Sequence, residues 1–404
     1  MRPRLAWYTQ EVLPPTQTFI ANQLVVTKGV IGAKLFGIDR LPGTVVPGPS
    51  WVLGRDCRFG GAEAVAWKAT RWSPRLRAEL KSFEPDVLIA HYLQYAWRVS
   101  RLTQSLGVPL VAMCHGSDVL TVQGRHHPTR SMRQLSRNWE RLLDQVQLFL
   151  PVSRFLGNRL IALGVPPSRV AVHYLGVALP GRNRLERAGE RSGVLFVGNL
   201  VENKGCDLLI RAVGRLARGR RRIDVTVVGE GPQVGALRRQ AAELPSGVRV
   251  RFLGSLPHAA VLELMGQHRL LCAPSVEVAS GASEGLSLVA CEAAAHGLPV
   301  VAFDTGGLPE VVCHGETGLV VEPRSVGGLA EALEMVLDDD STALAMGRAA
   351  RRVAEQRFDL FAQAARLREV LAAHGLVTAE DAVKDAPEPK GPGAGHRATP
   401  TADV

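Results

Sequence analysis

Residues 273–301 read APSVEVASGASEGLSLVACEAAAHGLPVV. The segment opens where one apolar run, Leu270 to Ala273, ends and closes where another, Pro299 to Phe303, begins. Strand-length runs separated by a helix-length stretch are the pattern of a βαβ unit in a parallel sheet. The helical pattern starts around Gly285-Leu286-Ser287, so Glu284 is expected in the loop at its mouth and Glu292 about two turns in. The unpaired N–H groups of Leu286, Ser287 and Leu288, with the positive end of the helix dipole, make a seat for a diphosphate that needs no metal. Glu284 would accept hydrogen bonds from sugar hydroxyls beside it, and Glu292 from a ribose diol. Two acids at this spacing also fit a favourable first-turn residue and a solvated one. Against that, Glu292 is the only charged residue between Glu284 and Pro299, and burial within LSLVACEAAA would demand a partner.

Working outward, the alternation of strand and helix occurs twice. One series holds the strand-like runs Leu5 to Tyr8, Gly32 to Phe36, Asp86 to Ala90, Pro109 to Cys114 and Leu148 to Val152. Helical patterns lie near Thr16 to Val26, Pro74 to Ser82, Trp97 to Leu106 and Met132 to Leu143. The other series holds Val194 to Val197, Ile223 to Val228, Val248 to Phe252, Leu270 to Ala273, Pro299 to Phe303 and Gly318 to Val321, then helices Val326 to Asp338, Thr342 to Arg357 and Leu360 to His374. Between them LPGRNRLERAGERS, residues 179–192, loses apolar periodicity and reads as a linker. The expected organisation is a first domain over 1–178, the linker 179–192, a second domain over 193–357, a helical segment 358–377 packing back on the first domain, and a disordered tail 378–404.

Composition agrees with an α/β chain. It has 404 residues, 46% hydrophobic, enough for about two or three cores. Glycine is abundant at 41 residues and aromatics are 5%, which suits strand-to-helix turns better than a β-sandwich. The formal charge of +10 favours an anionic nucleotide, a lipid phosphate or an acidic membrane surface. The basic residues are scattered without interleaved aromatics or finger spacing, so no nucleic acid is expected. The six cysteines stand singly, at 57, 114, 206, 272, 291 and 313, which suggests neither zinc nor disulfides and fits a reducing compartment. No signal-like segment or membrane-length apolar run is read, so the expectation is a cytoplasmic protein with peripheral contact on the inner face of an anionic membrane.

The 273–301 segment resembles the signature of the GT-B retaining glycosyltransferases of family 4. Supporting stretches stand at Gly198-Asn199-Leu200-Val201-Glu202-Asn203-Lys204-Gly205, Val228-Gly229-Glu230-Gly231-Pro232, Phe252-Leu253-Gly254, Gly306-Gly307-Leu308-Pro309-Glu310 and Gly315-Glu316-Thr317-Gly318-Leu319-Val320. In the first series His115-Gly116-Ser117-Asp118 and Val152-Ser153 follow their strands, as in that family. The resemblance spans about residues 5–375. A weaker likeness joins Pro14-Pro15-Thr16-Gln17-Thr18-Phe19-Ile20 to the first loop of a branch that builds bacterial exopolysaccharides.

The resemblance implies two Rossmann-like, doubly wound parallel-sheet domains facing a cleft. It implies a UDP- or GDP-sugar as donor substrate, no cofactor and no metal. Asn199, Lys204, Glu284, Gly285, Leu286, Ser287, Leu288 and Glu292 would bind the donor, with Glu284, His115 and Lys204 as the catalytic set. Thr16, Gln17, His115 and Asp118 become candidates for the acceptor side or the transferred sugar. Asn199 departs from the family, which usually has arginine there, so a guanidinium fork is replaced by a short neutral amide. A hydroxyl acceptor on a saccharide, lipid-linked, is expected. The rivals are a nucleotide-sugar epimerase on the same scaffold and a non-catalytic sugar-nucleotide binding protein. The sequence does not speak to the oligomeric state.

Overall fold

The computed structural model describes residues 3–12, 18–28, 32–40, 46–122, 129–181, 191–217 and 222–378. Thr16, Gln17, His126, His127, most of the linker and the tail beyond Thr378 lie outside them. One parallel sheet is built from β1 (Arg4–Val12), β2 (Gly32–Arg40), β3 (Ser50–Val52), β4 (Val87–His91), β5 (Leu110–Cys114) and β6 (Leu148–Pro151), in the order β3-β2-β1-β4-β5-β6. The other holds β7 (Val194–Val197), β8 (Ile223–Val228), β9 (Val248–Phe252), β10 (Leu270–Ala273), β11 (Val300–Phe303) and β12 (Gly318–Val321), in the order β12-β11-β10-β7-β8-β9.

Both orders are the same doubly wound pattern. In each, the first strand sits centrally: Leu5 of β1 pairs with Ala33 and Val87, and Val194 of β7 with Leu270 and Val225. The winding reverses beside that strand, which opens a crevice at the strands' carboxyl ends. We refer to the parts built on the two sheets as the first and second lobes.

The first lobe carries α1 (Thr18–Lys28), α2 (Leu53–Asp56), α3 (Gly60–Thr70), α4 (Pro74–Phe83), α5 (Leu93–Leu106), α6 (Ser117–Leu120), α7 (Arg130–Arg137), α8 (Trp139–Gln145) and α9 (Arg154–Ala162). The second carries α10 (Cys206–Leu216), α11 (Val234–Ala242), α12 (His258–Gln267), α13 (Leu288–Ala295), α14 (Leu308–Val311), α15 (Val326–Asp338) and α16 (Asp340–Arg357), after which comes α17 (Leu360–Ala373). Helices on both faces explain why β4 and β5 are buried at every residue and read as continuous apolar runs. In α10, Leu208, Leu209, Ile210, Val213 and Leu216 are all buried, each contributing about 2 kcal/mol. No helix among the described residues is long and apolar enough to cross a membrane.

Three helices depart from the sequence expectation, each for a local reason. α5 starts at Leu93 rather than Trp97, because the Asp118 carboxylate accepts from the Leu93 N–H at 3.0 Å and caps the extra turn from outside. The single helix expected over 132–143 is two, α7 and α8. At their junction Asn138 Nδ2 donates to the Gln134 carbonyl, the acceptor that an unbroken helix would use itself. α13 starts at Leu288, with Ser287 extended, so Glu292 lies just over one turn in rather than two.

The chain also crosses between lobes near its end. Val177 pairs with the 358–360 segment: its N–H donates to Phe358 O at 2.7 Å, and Leu360 N donates back at 3.1 Å. α17 then lies on α1, burying Val26, Leu360 and Ala364. The first-lobe core runs without a break into the seam through Ala290, Val312 and Phe358, whereas the far side of the second lobe has its own core around α10 and α15.

Candidate active site

A cavity of about 360 Å³ opens at the carboxyl ends of β7 and β8. Its floor is Gly198-Asn199 after β7 and Gly229 after β8; Ser255, Leu256 and His258 close one side. Lys204, Glu284, the start of α13 from Leu286 to Val289, and Glu292 close the other. Tight backbone packing forms this floor. Gly229 has φ +134°, and a Cβ there would meet the Gly198 carbonyl at 1.9 Å.

Two ion pairs dominate the walls. The Lys204 ammonium is 2.5 Å from Glu284 Oε2, which also accepts from Ser275 Oγ at 3.2 Å. Lys204 is placed by Gly205, whose φ of +65° turns the chain into α10 hard against Pro274. Glu292 is buried and meets His258 Nε2 at 2.7 Å. That carboxylate raises the His258 pKa above its ordinary value, against the opposing effect of partial burial. The Leu288 and Val289 amides precede the first backbone bonds of α13, which Ala290 and Cys291 make to the Ser287 carbonyl, and they carry the positive end of its dipole.

The facing edge of the first lobe is built differently. His115 is half-buried beyond β5, between Phe19, Tyr92 and His91, whose Nδ1 lies 3.1 Å from His115 Nε2. Burial holds both imidazoles well below their ordinary pKa, His91 to about 3, so both are neutral. The buried His115 Nδ1 has no partner. Asp118, expected as a sugar contact, is instead fully buried: its oxygens accept from the backbone N–H of Leu93, His115 and Gly116. Three amide donors occupy the carboxylate, which positions the His115 loop and leaves nothing exposed to a sugar.

The two edges touch. A Cβ on Gly285 would meet the His115 carbonyl at 2.3 Å and Gly116 Cα at 2.9 Å. Gly285 is thus packed beneath the first-lobe loop, the one member of the expected donor set that does not line the cavity. A second interlobe tie comes from Glu310 in α14, after the Gly306-Gly307 turn whose Gly307 N–H bonds the Glu284 carbonyl. Its carboxylate accepts from Arg154 N, Phe155 N and Tyr174 Oη, each at 2.8 Å, and so caps α9 from the other lobe.

Comparison with known proteins decides the family. The family described as "Glycosyl transferases group 1" matches residues 181–353, and "Glycosyltransferase Family 4" matches residues 40–179. The glycogen synthase of Mycobacterium tuberculosis is 32% identical over 314 residues, covering 74% of this chain and 73% of that protein. A GDP-mannose-dependent alpha-(1-6)-phosphatidylinositol monomannoside mannosyltransferase of the same organism is 30% identical over 372 residues, covering 86% and 94%. The chain belongs to glycosyltransferase family 4. Its fold is GT-B: Anabaena HepE, solved with UDP and glucose, superposes with a TM-score of 0.72 at 20% identity, over 91% of this chain and 99% of HepE.

In this glycosyltransferase the structure brings Asn199, Lys204, Glu284, Leu286, Ser287, Leu288 and Glu292 to line one cavity, and sets His115 beside Gly285. No arginine lines the cavity among the described residues, so none there replaces the one that Asn199 lacks. Sequence reading missed His258 and, although it named Glu310 within a recognised stretch, gave it no role. His258 stands four residues past the recognised Phe252-Leu253-Gly254 turn, and Glu310 closes the recognised Gly306-Gly307 turn; each was within reach of its motif.

Proposed function

We propose that this glycosyltransferase binds a UDP- or GDP-sugar in the second-lobe cavity and transfers the sugar, with retention, to a hydroxyl of a lipid-linked saccharide. The setting would be cell-surface or exopolysaccharide synthesis at the inner face of the membrane, with residues 193–357 as donor domain and 1–178 as acceptor domain. The observation that carries the reading is that Lys204, Glu284, the bare amides of α13 and Glu292 share one wall. The relatives' own ligands support a nucleotide sugar and differ in the base, GDP in one name and UDP in the other.

The diphosphate competes for the Lys204 ammonium, which frees Glu284 to accept from the sugar's hydroxyls, while Glu292 accepts from the ribose diol. As the anomeric C–O bond breaks, negative charge grows on the β-phosphate, and the α13 amides and Lys204 already point there. The acceptor hydroxyl attacks from the same face, forms the new C–O bond, and gives its proton to the departing phosphate. His115, held neutral beside Gly285, is the first-lobe side chain we assign to the donor sugar across the seam. With Asn199 in place of arginine, Lys204 carries more of the phosphate's charge.

A thermal-shift series of nucleotide sugars should select one donor by raising the melting temperature. With that donor, Glu284→Ala and Lys204→Ala should each lower turnover by about 100-fold or more while the fold survives. Turnover at the wild-type rate in both variants would defeat the reading. Epimer formed without acceptor would mark the same scaffold as an epimerase, and donor bound but never turned over would mark a binding protein.

A further inference from the structure

α3 is unusual for a surface helix. Of its eleven residues, Gly61, Ala62, Val65, Ala66, Lys68, Ala69 and Thr70 are exposed, and only Lys68 among them is charged. Phe59 just before the helix and Trp72 just after it are also exposed, Phe59 at 71% and Val65 at 68%. Ala62, Val65 and Ala69 recur at steps of three and four on the solvent side of the helix, and the exposed Phe59 at its left-handed N-cap and Trp72 just past its left-handed C-cap stand at the two ends. A helix of this kind ordinarily turns polar residues to water; an apolar outer face asks for a partner. The other large exposed apolar side chains, Val25, Ile161, Leu253, Met335 and Phe361, stand one to an element.

The charges around the stripe say which partner. Arg58 lies 5.3 Å over the Phe59 ring and Arg101 5.6 Å over the Trp72 ring, so each end of the stripe pairs an aromatic with a guanidinium. Nearby acids are already matched: Asp56 by Arg55, Glu63 by Arg75, Asp39 by Lys68 and Glu79 by Lys34. What remains is a shallow apolar strip of small side chains, aromatic at both ends and rimmed by cations. That is the chemistry of a helix lying in the headgroup region of an anionic bilayer.

We propose that α3, with Phe59 and Trp72, is the face by which this chain docks on an anionic lipid membrane. The Lys68–Asp39 pair sets the last turn of α3 at the carboxyl end of β2, the edge that borders the cleft. Docking there brings a membrane-borne acceptor to the cleft's rim. The proposal deepens the lipid-linked reading of the acceptor, and its test does not depend on turnover.

The full chain is sedimented with phosphatidylcholine vesicles, with and without phosphatidylglycerol. Wild type should bind only the anionic vesicles and should release them as salt rises. Arg58→Gln with Arg101→Gln should weaken binding about 25-fold, at roughly fivefold per cation removed. Phe59→Ser with Val65→Ser and Trp72→Ser should weaken it at least about tenfold. Both sets should keep the wild-type circular dichroism and the donor-induced thermal shift. Wild type that ignores anionic vesicles, or variants that bind them as wild type does, would overturn the proposal. So would variants that turn a dimer into a monomer by light scattering while vesicle binding stays unchanged, since the stripe would then seat a second copy. A wild type that binds anionic vesicles but turns over no sugar, with variants that lose that binding, would strike the proposed reaction and leave the docking face standing.

Discussion

The two edges of the cleft handle charge in opposite ways. On the second lobe the ionisable groups face an open cavity as pairs, Lys204 with Glu284 and His258 with Glu292. On the first lobe they are withdrawn: His91 and His115 are held neutral, and Asp118 spends its carboxylate on backbone amides. One edge keeps mobile charge ready to be re-paired with an anion; the other is a rigid, weakly polar surface. The difference teaches how the labour divides. On the proposed reaction, the second lobe would recognise the phosphates, and the first would shape and dry the place where the sugar is transferred.

The largest effect should come from forcing the edges apart. Gly285 does not have a positive φ, so alanine there carries no left-handed backbone strain, and the atoms its methyl would meet first belong to His115 and Gly116 of the other lobe. Gly285→Ala should lower kcat about 100-fold, the scale set by a displacement of about 1 Å at the reacting atoms, while donor affinity changes less than about twofold. If kcat holds and only the melting temperature falls, the contact is packing and the edges need not meet.

The withdrawn charges make the first lobe acid-sensitive. His91 is fully buried with its pKa pushed down to about 3 from 6.5, so below pH 6.5 the unfolded chain binds a proton that the folded one refuses. Stability is therefore lost as pH falls from 6.5 towards 3, by about 2 kcal/mol at pH 5 from this residue. His91→Phe keeps a ring stacked on Trp7, and should remove about that much of the loss between pH 7 and pH 5 in urea unfolding. An unchanged acid loss would mean that the imidazole is not the group that resists the proton.

Much of this was legible in the sequence where structure is local. The six second-lobe strands fall where apolar runs of strand length put them, and α15 spans the expected 326–338. What escaped depends on residues far apart. α5 gains its first turn from Asp118, 25 positions on; His258 and Glu292 are 34 apart; Glu310 reaches Phe155 across 155. α3 escaped for another reason. With alanine, glycine and valine on its outer side and Ala64 and Trp67 on its inner, it lacks the polar-apolar contrast by which a helix is read. The same absence of contrast marks it as a docking face. The resemblance supplied what spacing alone could not, that Lys204 and Glu284, 80 residues apart, belong to one site.

The smallest effect tests the mobile-charge edge directly. Glu292 raises the His258 pKa above its ordinary value, so the imidazolium persists to higher pH than a free one, and Glu292, Lys204 and Glu284 are the charged groups among the described residues that share its cavity. Because the folded pKa is raised, the charge and its stabilisation are present at low pH and are lost as pH rises through the raised value. A nucleotide-diphosphate sugar stays fully ionised over that window, so any change in its affinity reports the protein. The cavity loses a positive charge as His258 deprotonates, and the donor Kd should rise about threefold between about pH 6 and about pH 8, a modest step because the pair is partly solvated. His258→Gln keeps a donor for Glu292 without the titration and should flatten the profile. If the glutamine variant retains the wild-type slope, the charge that responds to the donor lies elsewhere, and the second edge is less poised than the pairs suggest.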